Sequence, residues 1–121
     1  MEKKTVLLID DSAIQLRSLC EILKSKYNVL MATSGMKALT MLGKIIPDII
    51  FLDYEMPECD GKKTLEMIRQ LEVAKDIPVV FLTGAKEKDH IESLLELKPS
   101  GYLLKPASAD AIVGIIDKFT R

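Results

Sequence analysis

The feature that most constrains the fold of this chain is an alternation of five short apolar runs with segments of helical periodicity. The runs are Thr5–Ile9, Asn28–Ala32, Asp48–Leu52, Ile77–Leu82 and Gly101–Leu104. Most of them are continuous rather than alternating, which is typical of strands buried on both faces of a parallel sheet that helices cover. The pattern therefore predicts five buried strands.

Each run is followed by a segment whose apolar residues recur at helical spacing. The first of these segments follows Ser12, which is suited to an N-cap, and the second follows Ser34 and Gly35. The recurring residues are Leu16, Leu19 and Leu23, then Ala38, Leu39, Met41 and Leu42, then Leu65, Ile68 and Leu71, then Ile91, Leu94 and Leu95, and finally Ile112, Ile115, Ile116 and Phe119. We interpret each stripe as core packing. The alternation predicts right-handed βαβ units and a three-layer α/β domain.

Length and composition exclude several classes of protein. A chain of 121 residues indicates one domain, residues 1–121. A net charge of -1 gives no reason to expect direct binding to nucleic acid or to a membrane surface. No apolar run approaches the roughly 18 residues of a membrane span. Cys20 and Cys59 have no metal-ligand spacing, so we expect free thiols and a cytoplasmic protein.

Polar residues follow four of the five apolar runs. They are Asp10, Asp11, Asp53, Thr83 and Lys105. Taken singly, each has a structural explanation, such as a helix dipole, a turn, an ordinary strand position or a snorkelling lysine. However, the carboxyl ends of parallel strands share one edge of the sheet, where ligands bind. We therefore expect these side chains to meet in one pocket.

The chemistry of this set indicates a phosphoryl-acceptor site. Three neighbouring carboxylates repel one another unless a cation compensates them, and an all-oxygen cluster with room for water suits Mg²⁺ better than Zn²⁺. A carboxylate beside Mg²⁺ can attack phosphorus and form an aspartyl phosphate. The metal and a lysine then neutralise the oxygens of the transferring group, and a threonine hydroxyl can bind a third oxygen.

The chain resembles a known family, the receiver domains of bacterial two-component response regulators. The resemblance covers essentially the whole chain and rests on four segments in order, "LLIDDS", "IIFLDYEMPECDG", "VVFLTG" and "YLLKP". It implies a flavodoxin-like, doubly wound (βα)5 fold with a five-stranded parallel sheet in the order 2-1-3-4-5. It also implies that residues 1–121 are a single receiver domain and that any effector domain lies outside this chain.

The resemblance assigns a role to each residue of the site. Asp53 corresponds to the phosphorylated aspartate. Asp10 and Asp11 correspond to the acidic pair that holds Mg²⁺ together with Asp53, and the backbone carbonyl of Glu55 is a further ligand. Lys105 corresponds to the lysine that contacts the phosphoryl group.

The resemblance also implies a switch and a means of tuning it. Thr83 corresponds to the switch hydroxyl and Tyr102 to the switch aromatic, which turns inward when Thr83 moves toward the phosphate. The Lys105–Pro106 peptide is expected to be cis. Glu55 and Ala85 occupy the positions that tune the lifetime of the phosphoryl group, and Gly84 leaves the path to Asp53 open.

The implied function is signalling by phosphorylation. The chain accepts a phosphoryl group from a sensor histidine kinase or a histidine phosphotransfer protein. It then signals to an effector through the fourth helix, fifth strand and fifth helix. It catalyses only its own phosphoryl transfer and autodephosphorylation, so we do not expect an enzyme in the ordinary sense. The OmpR-like subfamily forms dimers through charged contacts, but this chain has Ser100, Gly101 and Ala107 at positions where that subfamily has other residues. The oligomeric state is therefore open, and a homodimer is one possibility.

Three rival interpretations remain open from the sequence. A flavodoxin-like FMN protein needs a Ser/Thr-rich phosphate loop after the first strand, where this chain has the acidic "DDSAI". A haloacid-dehalogenase-type phosphatase also forms an aspartyl phosphate, but it needs an aspartate at the position of Glu55. The third rival is a receiver-like protein-interaction domain that has lost phosphorylation.

Overall fold

Five strands alternate with five helices in the computed structural model, which describes residues 3–54, 56, 61–84 and 88–120, with the backbone alone for residues 88–90. The elements are β1 (Thr5–Ile9), α1 (Ala13–Leu23), β2 (Asn28–Ala32), α2 (Gly35–Leu42), β3 (Ile49–Asp53), α3 (Gly61–Gln70), β4 (Val79–Thr83), α4 (Lys88–Glu96), β5 (Gly101–Leu104) and α5 (Ala109–Phe119). Two predicted site positions, Glu55 and Ala85, lie outside the described residues. Within the described ranges, each helix is too short or too polar to cross a membrane.

The strands form one parallel sheet in the order β2-β1-β3-β4-β5. This confirms the predicted flavodoxin-like order. Adjacent strands pair with their ends nearly level, as in Val6 with Ile49 and Ile50 with Val79. As a result, the carboxyl ends of β1, β3, β4 and β5 lie along one edge of the sheet.

Helices cover both faces of the sheet, so the domain has the three layers that the alternation predicts. Residues of α2, α3 and α4 pack with one side of the strands, and the buried members of this cluster include Leu42, Leu65 and Leu94. Residues of α1 and α5 pack on the opposite side, where Leu16 and Ile116 are buried. Burial of these side chains on both faces is the main source of favourable free energy in such a fold.

The structure corrects the prediction that all five strands are buried. The central strands β3 and β4 are buried at every residue. By contrast, Met31 on β2 is 43% exposed and Leu104 on β5 is 39% exposed. Both strands lie at the edges of the sheet, and no further strand of the described residues pairs on their outer side. Continuous apolar runs therefore mark strands here without showing which of them are central.

Element boundaries and one helical stripe also differ from the prediction. Strands β3 and β4 begin later than the apolar runs and extend one residue further, so that Asp53 and Thr83 are their last residues. The Asp48 side chain instead accepts a hydrogen bond of 2.7 Å from the backbone N–H of Thr5. In α4, Leu94 is fully buried but Leu95 is 47% exposed, so that stripe packs into the core only in part.

Helix α1 begins beside the carboxyl edge because Ser12 caps it, as the sequence predicts. The Ser12 hydroxyl accepts a hydrogen bond of 3.3 Å from the backbone N–H of Gln15. Ser34 caps α2 in the same way. Each cap satisfies a backbone donor that the first helical turn leaves without a partner.

Candidate functional site

A cleft of about 280 Å³ opens at the carboxyl edge of the sheet. It is lined by Asp10, Asp11, Ser12, Gln15, Asp53, Gly84 and Lys105. Four of the five predicted side chains, the three carboxylates and the lysine, therefore meet in one place. They come from the ends of β1 and β3 and from the residue after β5.

The Lys105 ammonium joins two buried carboxylates. Its Nζ lies 3.1 Å from Oδ1 of Asp53 and 3.4 Å from Oδ2 of Asp10. Asp53 is only 3% exposed and Asp10 only 2%. Burial by itself lowers the pKa of Lys105, but the hydrogen bond that Lys105 donates to Asp53 and the negative charges of Asp53 and Asp10 outweigh it and raise the pKa above its usual value. The lysine therefore stays protonated and serves as the counter-ion of both acids.

Backbone hydrogen bonds fix the positions of these groups. The N–H of Asp10 donates to the carbonyl of Ala32 at 3.1 Å, and its Oδ1 accepts from the N–H of Ser12 at 2.9 Å. The N–H of Lys105 donates to the carbonyl of Thr83 at 2.8 Å. The Lys105–Pro106 peptide is cis, as the resemblance implies. Asp10 and Lys105 are thus tied to the neighbouring strands by backbone hydrogen bonds.

The donor set fits a hard divalent cation. One oxygen from each of Asp10, Asp11 and Asp53 can be chosen so that all three lie within 4.8 Å of one another. Two of these residues are buried, whereas Asp11 is exposed and open to solvent. Among the described residues that line the cleft, three carboxylates face one ammonium, and the cleft has room for water. All-oxygen donors with water beside them are the ligands that Mg²⁺ prefers.

Thr83 and Tyr102 lie beside the cleft and do not line it. Thr83 is fully buried, and Gly84 after it lines the cleft in its place. Tyr102 is half-buried and pairs in register with Phe81, two residues before Thr83. Residues two apart on a strand point to the same face, so Thr83 and Tyr102 share the face that α4 covers.

Sequence reasoning missed two residues that line the cleft, Ser12 and Gln15. Their spacing in the first turn of α1 was the available signal, because residues three apart share one face of a helix. This spacing alone does not mark a site, because neither residue carries a charge and Ser12 already has a role as a cap. Glu55, the predicted further ligand, and Ala85 lie outside the described residues.

An apolar groove opens directly onto the cleft. It has a volume of about 480 Å³ and runs between α1 and the segment that joins β5 to α5. Gln15 and Lys105 line both the groove and the cleft, and the groove continues past Leu19, Ile22, Pro106 and others. A protein that binds in this groove would therefore lie next to Asp53.

Comparison with known proteins identifies the family. A model of the response regulator receiver domain matches residues 6–117. The chain belongs to this family. It is therefore a phosphoacceptor signalling domain, and the match does not favour the phosphatase alternative. Receiver domains take phosphoryl groups from histidine kinases and connect to effector domains.

Individual relatives agree with this assignment. A protein-glutamate methylesterase/protein-glutamine glutaminase of Trichodesmium erythraeum is 38% identical over 113 residues, which are 89% of this chain and 32% of that protein. A two-component response regulator of Oryza sativa subsp. japonica is 31% identical, over 96% of this chain and 88% of that protein. The chain spans a third or less of the first three curated relatives.

A solved structure has the same fold. It is the receiver domain of a sensor histidine kinase from Pseudomonas aeruginosa PAO1, with a magnesium ion coordinated in its active site cleft. The TM-score is 0.89 and the sequence identity is 24%, over 98% of each chain. At this identity the likeness establishes the fold alone.

Gly61, the first residue of α3, packs closely against the backbone of Asp53 and Tyr54. We predict that Gly61→Ala displaces Asp53. A Cβ at Gly61 would lie 2.8 Å from Cα of Tyr54 and 2.9 Å from the carbonyl oxygen of Asp53. Since both are backbone atoms, the strand end must shift. We expect a loss of about 1–3 kcal/mol in the free energy of unfolding, measured by urea denaturation, and slower phosphorylation.

Gly114→Ala is the matched control. Gly114 lies within α5, and a Cβ there would meet nothing within 4 Å. Alanine is the better helix former, so this change should stabilise the protein by about 0.5–1 kcal/mol. Equal changes in the free energy of unfolding for the two substitutions would contradict the close approach of Gly61 to the backbone of Asp53 and Tyr54.

Proposed function

We propose that Asp53 is the residue that accepts the phosphoryl group. Its side chain is buried at the end of the central strand β3 and is oriented by Lys105. In the transfer, a carboxylate oxygen of Asp53 forms a bond to phosphorus while the bond from phosphorus to the donor nitrogen or oxygen breaks. The leaving group takes the electron pair, and an acyl phosphate remains on Asp53. The observation that carries this proposal is the Lys105 bridge between Asp53 and Asp10.

The same site would hold Mg²⁺ through Asp10, Asp11 and Asp53, with the backbone carbonyl of Glu55 as a further ligand. The convergence of three carboxylates supports this assignment, as does the magnesium ion in the cleft of the Pseudomonas aeruginosa receiver domain. When bound, the ion offsets negative charge on the carboxylates and the phosphoryl oxygens. Lys105 would transfer part of its interaction from Asp10 to the phosphoryl group.

Thr83 and Tyr102 form the proposed switch. The Thr83 hydroxyl would move toward the phosphoryl group and donate a hydrogen bond to one of its oxygens. The space that the Thr83 side chain leaves would admit the Tyr102 ring. Their placement on one face of adjacent strands supports this coupling. The rearranged surface, built from α4, β5 and α5, would then bind an effector protein or domain.

The proposed phosphodonor is the phosphohistidine of a sensor kinase or phosphotransfer protein in the cytoplasm. A protein donor would place an apolar helix in the groove beside the cleft, because Leu19, Ile22 and Pro106 give the groove an apolar lining. The methylesterase activity of a longer relative is not proposed for this chain. Its own catalysis would be limited to acquiring and hydrolysing the phosphoryl group.

Intact mass spectrometry tests whether Asp53 is the acceptor. We expect the wild type to gain one phosphoryl group from a small-molecule phosphodonor when Mg²⁺ is present and none when it is chelated. Asp53→Asn should gain none, because an amide oxygen is a far weaker nucleophile than a carboxylate. The control is Asp48→Asn, which changes an exposed aspartate at the amino end of β3.

The outcomes of this experiment are separable. Labelling of Asp53→Asn at the wild-type rate would contradict the assignment. If the small donor labels neither protein, a histidine kinase is used in its place, and failure of that transfer as well would favour the interaction domain that has lost phosphorylation.

Ile22→Asp tests the docking groove. Ile22 is 39% exposed on α1, and a charge in the groove should slow transfer from a phosphohistidine protein by about tenfold or more. Labelling by a small-molecule donor should be unchanged, because Ile22 lines the groove and does not line the acidic cleft. Ile46→Asp is the control, since Ile46 is exposed before β3 at the opposite edge of the sheet. Equal slowing by both substitutions would exclude the groove.

Glu55 and Ala85 are proposed to set the lifetime of the acyl phosphate. By resemblance to the family, Glu55 would place an acid near the path of an attacking water, and Ala85 would offer no polar group to orient one. We expect Glu55→Ala to change the first-order rate of phosphoryl loss, followed by intact mass after the donor is removed. An unchanged rate would exclude a role for Glu55.

A further inference from the structure

The carboxyl end of α4 is held by an arginine of the neighbouring helix. Arg69, in the last turn of α3, donates one hydrogen bond to the carbonyl of Leu97 and another to the carbonyl of Lys98. Helix α4 ends at Glu96, so these two carbonyls follow it directly. Carbonyls at a helix end lack partners within the helix, and the planar guanidinium can serve two of them at once.

The backbone at this helix end has an unusual conformation. Lys98 has a φ of 54°, and it is the one non-glycine residue with a positive φ in the described part of the chain. The N–H groups of Leu97 and Lys98 close the last turn onto Leu94 and Leu95. Pro99 comes next and has no N–H, so the chain cannot supply the usual further capping bond. Arg69 donates to the two carbonyls that follow the last turn, those of Leu97 and Lys98.

The segment after α4 is fixed to the sheet as well. The N–H of Ser100 donates to the carbonyl of Val79 at 2.9 Å, and the Ser100 hydroxyl accepts from the N–H of Val79 at 3.3 Å. The carboxyl end of α4 is therefore attached to both α3 and β4. The amino end connects to Thr83 through a short segment whose first residue, Gly84, is exposed and has open space beside it.

We propose that Arg69 is a positioning residue that anchors the carboxyl end of α4. Rearrangement triggered at Asp53 would then displace the amino end of α4 about this anchor. The backbone that leads into Tyr102 would stay in place. The inference rests on the proposed function, because the trigger is the phosphoryl group on Asp53.

Amide hydrogen exchange of the full chain tests the anchor. Wild type, Arg69→Met and Arg17→Met are compared with and without Mg²⁺ and beryllofluoride, which mimics a phosphoryl group on a carboxylate. Without beryllofluoride, the amides of Leu97 and Lys98 should exchange about tenfold faster in Arg69→Met. Arg17→Met removes an exposed arginine from α1 and should match the wild type.

The response to beryllofluoride tests the direction of the motion. In the wild type, beryllofluoride should change the amide exchange of Gly84 and the first half of α4 and leave Leu97 and Lys98 protected. In Arg69→Met, the change in exchange should extend to Leu97 and Lys98. Lys98→Gly in the Arg69→Met chain should restore much of the protection, because glycine adopts a positive φ without strain. General unfolding of α4 would not be reversed by that change.

Each contrary result has a distinct meaning. In one such result the wild type responds to beryllofluoride while Leu97 and Lys98 exchange at the same rate in Arg69→Met as in the wild type. That result overturns the anchor alone. Loss of protection at Leu97 and Lys98 in the wild type on adding beryllofluoride also overturns it, because the anchor would have opened. A wild type with no response to beryllofluoride overturns the anchored motion together with the proposed function.

Discussion

The contact on which the site depends is the Lys105 ammonium between the carboxylates of Asp10 and Asp53. Both acids are almost completely buried, and buried charges are costly unless an opposite charge and hydrogen bonds offset them. Lys105 supplies that charge from a different strand end, at 3.1 and 3.4 Å. This one contact holds two buried carboxyl groups close together, and it fixes the orientation of the proposed nucleophile.

The parallel sheet makes this contact possible. β1 and β3 are adjacent, so the residues at their carboxyl ends are neighbours although they are far apart in sequence. Lys105, directly after β5, is held at the same edge of the sheet because its N–H donates to the carbonyl of Thr83. The same strand, β4, connects the cleft to α4. In the proposed switch, a charge added at Asp53 acts through Thr83 on one end of that helix, and the proposed anchor Arg69 holds the other.

Much of the fold and most of the site could be predicted from the sequence because the signals were local. Continuous apolar runs marked the strands, and a charged residue directly after such a run marked the cleft. Interactions between distant segments left no local signal. The contact of Arg69 with Leu97 and Lys98 joins two helices, and the partial exposure of β2 and β5 depends on their place in the sheet. The full burial of Thr83 likewise follows from packing that its neighbours in sequence do not reveal.

The most direct measurement is to locate the acyl phosphate. Sodium borohydride reduces an acyl phosphate to an alcohol, which converts a phosphorylated aspartate into homoserine, and tandem mass spectrometry of the digested chain then identifies the residue. If Lys105 orients Asp53 for attack, homoserine appears at position 53 after treatment with a phosphodonor and Mg²⁺. Homoserine at Asp10 or Asp11 instead would contradict this account of the site.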